Sequence, residues 1–177
     1  MNLFRLHDSP DETARQLADR HVRKMILEGA QVLSAACRIV GTAHPDLWGR
    51  YSLAILNDID EGLYAVTHRH HPVTIFATGR DGAACVLKHS QALCREFRWR
   101  WGKIHKSEAV IETASMYIRA FPEQTILSEQ PVAPVCVDED LRELSDYEAY
   151  QAHLLRKYQA WERPPIWTQR PRPAWVS

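Results

Sequence analysis

The sequence predicts an all-α protein: a compact single-domain helical bundle over residues 1–177, with a long acidic, proline-bearing loop at 122–144 and an extended tail at 163–177. Three observations carry this expectation. Apolar residues recur at steps of three and four in several stretches, the rhythm of a helix face. Two stretches open with helix-start chemistry, Ser9-Pro10-Asp11-Glu12 and Ser145-Asp146-Tyr147-Glu148. Nowhere is there a series of alternating apolar and polar residues, and there are no internal repeats. With 45% apolar residues, 177 residues suffice for one buried core.

Residues 2–7 read as a short extended lead. Ser9 can cap a helix, Pro10 suits its first turn and Glu12 completes a capping box. This helix either runs on into 17–38 or breaks near Asp19, and Gly41 should end it. Within 17–38, Val22, Met25, Ile26, Gly29, Leu33 and Ala36 share one face, while His21, Lys24, Glu28, Gln31 and Arg38 share its neighbour. Beyond it, His44-Pro45-Asp46 suggests a turn and 52–59 a short helix. Thr67 to His71 forms a loop that opens a short helix at Pro72, which Gly79 and Gly82 break. A long helix spans about 83–101, with Ala83, Val86, Leu87, Ser90, Leu93, Cys94, Phe97 and Trp101 inward, and Gly102 stops it. Residues 107–120 repeat the pattern with Val110, Ile111, Ala114 and Tyr117. After the acidic loop, the second capping box starts a helix whose inner face carries Tyr147, Tyr150, Leu154, Tyr158 and Trp161. The tail, RPPIWTQRPRPAWVS, has too many prolines for a helix and should lie over the body, pinned by its tryptophans.

The 22 basic and 22 acidic residues cancel, so global charge gives no argument for nucleic acid. The distribution is uneven, however. Acids gather between Asp138 and Glu148, and bases between Arg95 and Lys106 and between Arg163 and Arg172, so a neutral chain can still present a basic face. No apolar run approaches the ~18 residues of a membrane span, and the first residues lack the apolar core of a signal peptide. We expect no membrane partner and a cytoplasmic location. Cys37, Cys85, Cys94 and Cys136 form no CxxC pair and read as reduced structural thiols. There is no Gly-rich phosphate loop, no GxSxG and no distinctive carboxylate pair.

Candidate chemistry sits in three places. In the polar stripe, Glu28 lies beside an apolar surface that can partly desolvate it, with Lys24 one turn away as a neutralising cation. The bland reading is a solvated i,i+4 ion pair worth a few tenths of a kcal/mol, roughly. The loop His68-Arg69-His70-His71 fits no standard zinc spacing, and neither a metal nor a cofactor is expected. It reads instead as a helix cap or as an anion-binding turn, with free backbone N–H groups at Pro72. Residues 95–106, REFRWRWGKIHK, mix six basic or potentially basic side chains with three aromatics. Phosphate attraction and base stacking use that mixture, although cations also gather at helix C-termini for dipole reasons alone.

Leu17-Ala18-Asp19-x-His21 followed by Glu28 resembles the first helix of the pyrimidine-dimer DNA glycosylase/AP-lyase family, the phage endonuclease V type. His71-Pro72-Val73-Thr74-Ile75-Phe76, with the long helix ending in the basic stretch 94–103, resembles that family's central part. Trp161-Glu162-Arg163-Pro164-Pro165-Ile166-Trp167 resembles its tail. The resemblance implies a compact all-α enzyme of DNA repair or DNA modification in a bacterial or phage-infected cell. It implies that Glu28 is the catalytic carboxylate and His21 its companion, and that the nucleophilic amine falls to the N-terminus, Met1 and Asn2. Its partner would be double-stranded DNA. With the basic runs, this assigns DNA contacts to Gln31, Arg38, His70, His71, Arg98, Arg100, Lys103, His105, Lys106 and Arg170. Three readings stay open: an N-glycosylase-like enzyme acting on a flipped pyrimidine, a phage base-hypermodification transferase, and a DNA- or protein-binding module without chemistry.

Overall fold

The computed structural model describes residues 2–43, 62–119 and 133–176, and among these every regular element is helical. In chain order they are α1 (Pro10–Gln16), α2 (Asp19–Ala43), α3 (Pro72–Phe76), α4 (Arg80–Trp101), α5 (Glu108–Ile118) and α6 (Asp146–Gln159). Single 3-10 turns occupy Glu139–Leu141 and Ala174–Val176. The expected turn at 44–46 and helix at 52–59 lie outside the described residues. The helix expected to stop at Gly41 continues to Ala43, and the one expected from 83 starts at Arg80.

The start of α1 follows from its sequence. Ser9 is extended, its Oγ accepts from the Glu12 N–H, and Pro10 fills the first turn. Thr13 Oγ1 accepts from the Leu6 and His7 N–H groups, which ties the extended lead to the helix. The chain then breaks at Leu17, whose backbone is extended, and α2 begins two residues later. The carbonyls left free at the end of α1 need partners. Arg100, from the far end of α4, supplies them: its guanidinium donates to the carbonyls of Ala14, Arg15 and Leu17 at 2.9–3.3 Å. It also meets Asp19 at 2.8 Å and Glu96 at 2.7 Å.

Helix α2 is the axis of the fold. Val22, Met25, Ile26, Leu33 and Ala36 are buried along it, as the spacing predicts. Its neighbours are α4 and α5 along the length and α3 on one flank. At the crossing with α4, a Cβ on Gly29 would stand 2.3 Å from Ser90 Oγ, so glycine here makes room for the serine side chain. Gly102 ends α4 in the left-handed conformation (φ 61°), donating its N–H to the Arg98 carbonyl. Glu148 accepts from the Ser145 N–H at the start of α6, as the second capping box requires.

The tail crosses back to the α1–α2 joint. Trp167 and Trp175 donate their indole N–H groups to the Gln16 carbonyl and Gln16 Oε1, and Asp19 N–H donates to the Ile166 carbonyl. Thr168 donates both its N–H and its hydroxyl to the Asp19 carboxylate. One buried cluster thus joins described residues from Leu3 to Val176. No described helix is long and apolar enough to cross a membrane.

Candidate functional site: a basic groove beside a sheltered glutamate

The first turns of α2 put Arg20, Arg23 and Lys24 on its exposed side, with Leu27 and Gln31 half-buried further along the same stripe. The chain from Ala160 to Ile166 stands opposite. Between them runs an open groove of about 920 Å³ lined by Arg20, Arg23, Lys24, Trp161, Arg163 and Ile166, among others. Trp161 is the ring in its lining, and Trp101 lies outside it. The Arg20 guanidinium lies 4.9 Å over the Trp161 ring, and that of Arg23 lies 4.9 Å over Trp101. Asp19 also lines the groove, but its carboxylate is already bound by Arg100 and Thr168. Glu162 lines the groove as well and Lys24 is paired with Glu28, so Arg20, Arg23 and Arg163 against Glu162 leave the groove net positive, despite a neutral chain.

Glu28 sits one turn beyond Lys24, whose ammonium is 3.3 Å from its carboxylate. The lysine side chain is 63% exposed and that of Glu28 only 14%, so the acid is sheltered without being sealed. Behind it lies a cavity of about 10 Å³, lined by Asn2, Glu28, Gly29, His89 and Ser90 with apolar side chains between them. Asn2 donates its amide to the Cys136 carbonyl, whereas its Oδ1 has no hydrogen-bond partner. His89 Nε2 is likewise buried without a partner, and burial holds that imidazole down to about 4, so it is neutral at pH 7. His71 caps α3, its Nδ1 accepting from the Val73 N–H at 3.2 Å. Burial lowers its pKa, and the charge of Glu28 is near enough to oppose that shift. Met1 lies outside the described residues.

No family model, curated protein or solved structure matches the chain. Its function has to be read from the chemistry of its own residues.

Several expected site residues are placed differently from the sequence expectation. Arg100, expected to face DNA, is fully buried, because the α1–α2 joint needs its five N–H donors. His21, expected beside the catalytic acid, is packed among the rings of Phe4, Tyr158 and Trp161, and burial drops its pKa to about 3. It is a core imidazole. Arg38 donates to the carbonyls of Leu63 and Tyr64 and so anchors the chain that returns to α2. Arg170 grips Glu96 with two hydrogen bonds of 2.8 Å and stacks 5.1 Å over Trp99. In this pair burial pushes Glu96 up, but the two arginines hold its carboxyl below the usual range.

The remaining residues stay at the surface or near it. Arg98 pairs with Glu108 at 2.7 Å, and His105 Nδ1 accepts from the Ser107 N–H. Lys103, Lys106 and His70 are exposed, and Gln31 is half-buried on the exposed stripe of α2. Among the described residues, no three His, Cys, Asp or Glu side chains gather to hold a metal ion.

Sequence reasoning missed Arg20, Arg23 and His89. The first two repeat at the spacing of Lys24 and Leu27 and were legible as one cationic stripe. His89 falls between Val86 and Leu93 at steps of three and four, which marks it as inward-facing.

Proposed function

We propose that the protein binds DNA and acts on a pyrimidine base drawn out of the helix, with an N-glycosylase-like chemistry in which Glu28 is the catalytic carboxylate. One observation carries the reading: a sheltered carboxylate held by Lys24, a lysine that itself lines a groove with Arg20, Arg23, Arg163 and the Trp161 ring. Breaking the glycosidic bond sends its electron pair to the departing base, which takes up a proton, and leaves positive charge on the sugar until water adds at the anomeric carbon and gives up its proton. A fixed carboxylate in a partly desolvated site stabilises that charge far better than water does. Arg20, Arg23 and Lys24 supply phosphate attraction, and the Trp161 ring under Arg20 gives the groove an aromatic wall against which an unstacked base can pack.

The test pairs wild type with Glu28→Gln on duplexes carrying damaged or modified pyrimidines, with and without borohydride. The wild-type protein is expected to release or alter one of these bases. The variant should lose that activity by about 100-fold or more while binding the same duplex. Full activity in the glutamine variant would remove Glu28 from the chemistry. No released base, trapped adduct or altered base from any duplex would remove the reading itself.

A further inference from the structure

We infer that the cavity behind Glu28 holds one ordered water, shared by Asn2, His89 and the glutamate, and that Asn2 and His89 are positioning residues for that carboxylate. The water stands on the cavity alone; the positioning role rests on the reading of Glu28 above.

The cavity measures about 10 Å³. That is roughly the room one water needs and too little for an organic ligand. Leu3, Met25, Val32, Val73 and Val86 make the apolar part of its wall. Two of its lining residues bring buried polar atoms that lack a hydrogen-bond partner, Asn2 Oδ1 and His89 Nε2. The residues are only 8% and 6% exposed, so bulk solvent does not serve them. They come from different parts of the chain, the extended lead and α4, and meet Glu28 of α2 at one small space. Apolar cavities stay dry, whereas a polar one of this size takes up water that bonds its orphaned groups.

The count of hydrogens fixes the arrangement. Asn2 gives its amide N–H to the Cys136 carbonyl, which leaves Oδ1, an atom that only accepts. The Glu28 carboxylate, paired with Lys24, likewise only accepts. These two oxygens take both hydrogens of the water, so its third partner has to donate. Ser90 is not that donor, because its hydroxyl donates to the Val86 carbonyl. His89 remains, and burial keeps it a neutral imidazole with a single N–H. That proton therefore sits on Nε2. Three partners are the usual number for a buried water.

Lys24 meets the carboxylate from the solvent side on a largely exposed stem. The water meets it from the core side, where buried groups hold it still. A neutral His89 steadies the acid without cancelling its charge, which is kept for the positive charge that develops on the sugar.

The first arm of the experiment needs no substrate. Full-length protein with nitrogen-15 in its imidazoles is followed by long-range proton–nitrogen correlation and by cross-relaxation with water near neutral pH. His89 is expected as the Nε2–H tautomer, with that N–H in contact with a long-lived water. An Nδ1–H tautomer, or an Nε2–H without the water contact, overturns the inference and leaves the Glu28 reading standing. The second arm compares His89→Leu, which removes the donor, with His89→Gln, whose amide donates from a similar place. On a duplex that wild type processes, the leucine variant should bind within about threefold of wild type and turn over about tenfold more slowly or worse. The glutamine variant should recover most of that rate. Wild-type turnover in the leucine variant, or equal losses in both, overturns the positioning role. A water-bonded Nε2–H in a protein that acts on no duplex keeps the water and removes the DNA-base reading, and the positioning role with it.

Discussion

Replacing Arg100 with methionine tests whether this buried arginine belongs to the fold or to the DNA surface. The substitution keeps an apolar stem of similar length and removes the guanidinium. Three backbone carbonyls lose their donors, and Asp19 and Glu96 each lose an ion-pair partner. Breaking a buried pair typically costs about 3–5 kcal/mol, and each stranded carbonyl adds up to about 1 kcal/mol more. The losses are cushioned on both acids. Asp19 keeps two hydrogen bonds from Thr168, and Glu96 keeps the fork of Arg170. A net loss of about 4 kcal/mol follows. For a domain of this size that is a fall in Tm of about 8–16 °C. Urea unfolding followed by circular dichroism reads it directly. An unfolding free energy within about 1 kcal/mol of wild type refutes the structural assignment. So does a variant of unchanged stability whose DNA affinity drops with a shallower salt dependence, because Arg100 would then be a phosphate contact.

Acid should weaken the fold ahead of ordinary carboxylate titration. His21 and His89 titrate near 3 and 4 when folded, against about 6.5 unfolded, so the unfolded chain binds more protons between those values. Their contribution is complete above pH 6.5 and is lost as pH falls toward 4, by about 1.4 kcal/mol per pH unit for each imidazole. His71, His105 and His153 are lowered too and act in the same direction. Thermal melts from pH 7.5 to 4.5 check this, and a flat Tm across the range contradicts it. Gly29→Ala should destabilise by about 1 kcal/mol, because overpacking against Ser90 outweighs alanine's better helix propensity. Gly29→Ala combined with Ser90→Ala should recover that loss. A single alanine variant more stable than wild type would show that the α2–α4 crossing has slack.

The helices were legible because their signals are local. The seam from Val22 to Ala36, the Ser9 and Ser145 caps and the Gly102 stop each depend on residues within a few positions of one another. The Lys24–Glu28 pair was legible for the same reason. Arg100 was not. Its partners at Ala14, Arg15 and Leu17 are 83–86 residues away, and a basic run at a helix end looks the same whether it faces water or the core. His21 was misplaced because it keeps step with Lys24 and Glu28, while the rings that enclose it come from Phe4 and from the last helix and its end. The groove itself could not be read, since its two sides are about 140 residues apart in the chain.

That separation has a consequence for how the molecule opens. The segment around Trp161 to Thr168 is fastened to the α1–α2 joint by hydrogen bonds and indole contacts, and Trp167 is buried in the same cluster as the core of α2. Contacts that close so long a loop form late in folding. One wall of the groove is therefore assembled last, and it cannot come away without opening that core.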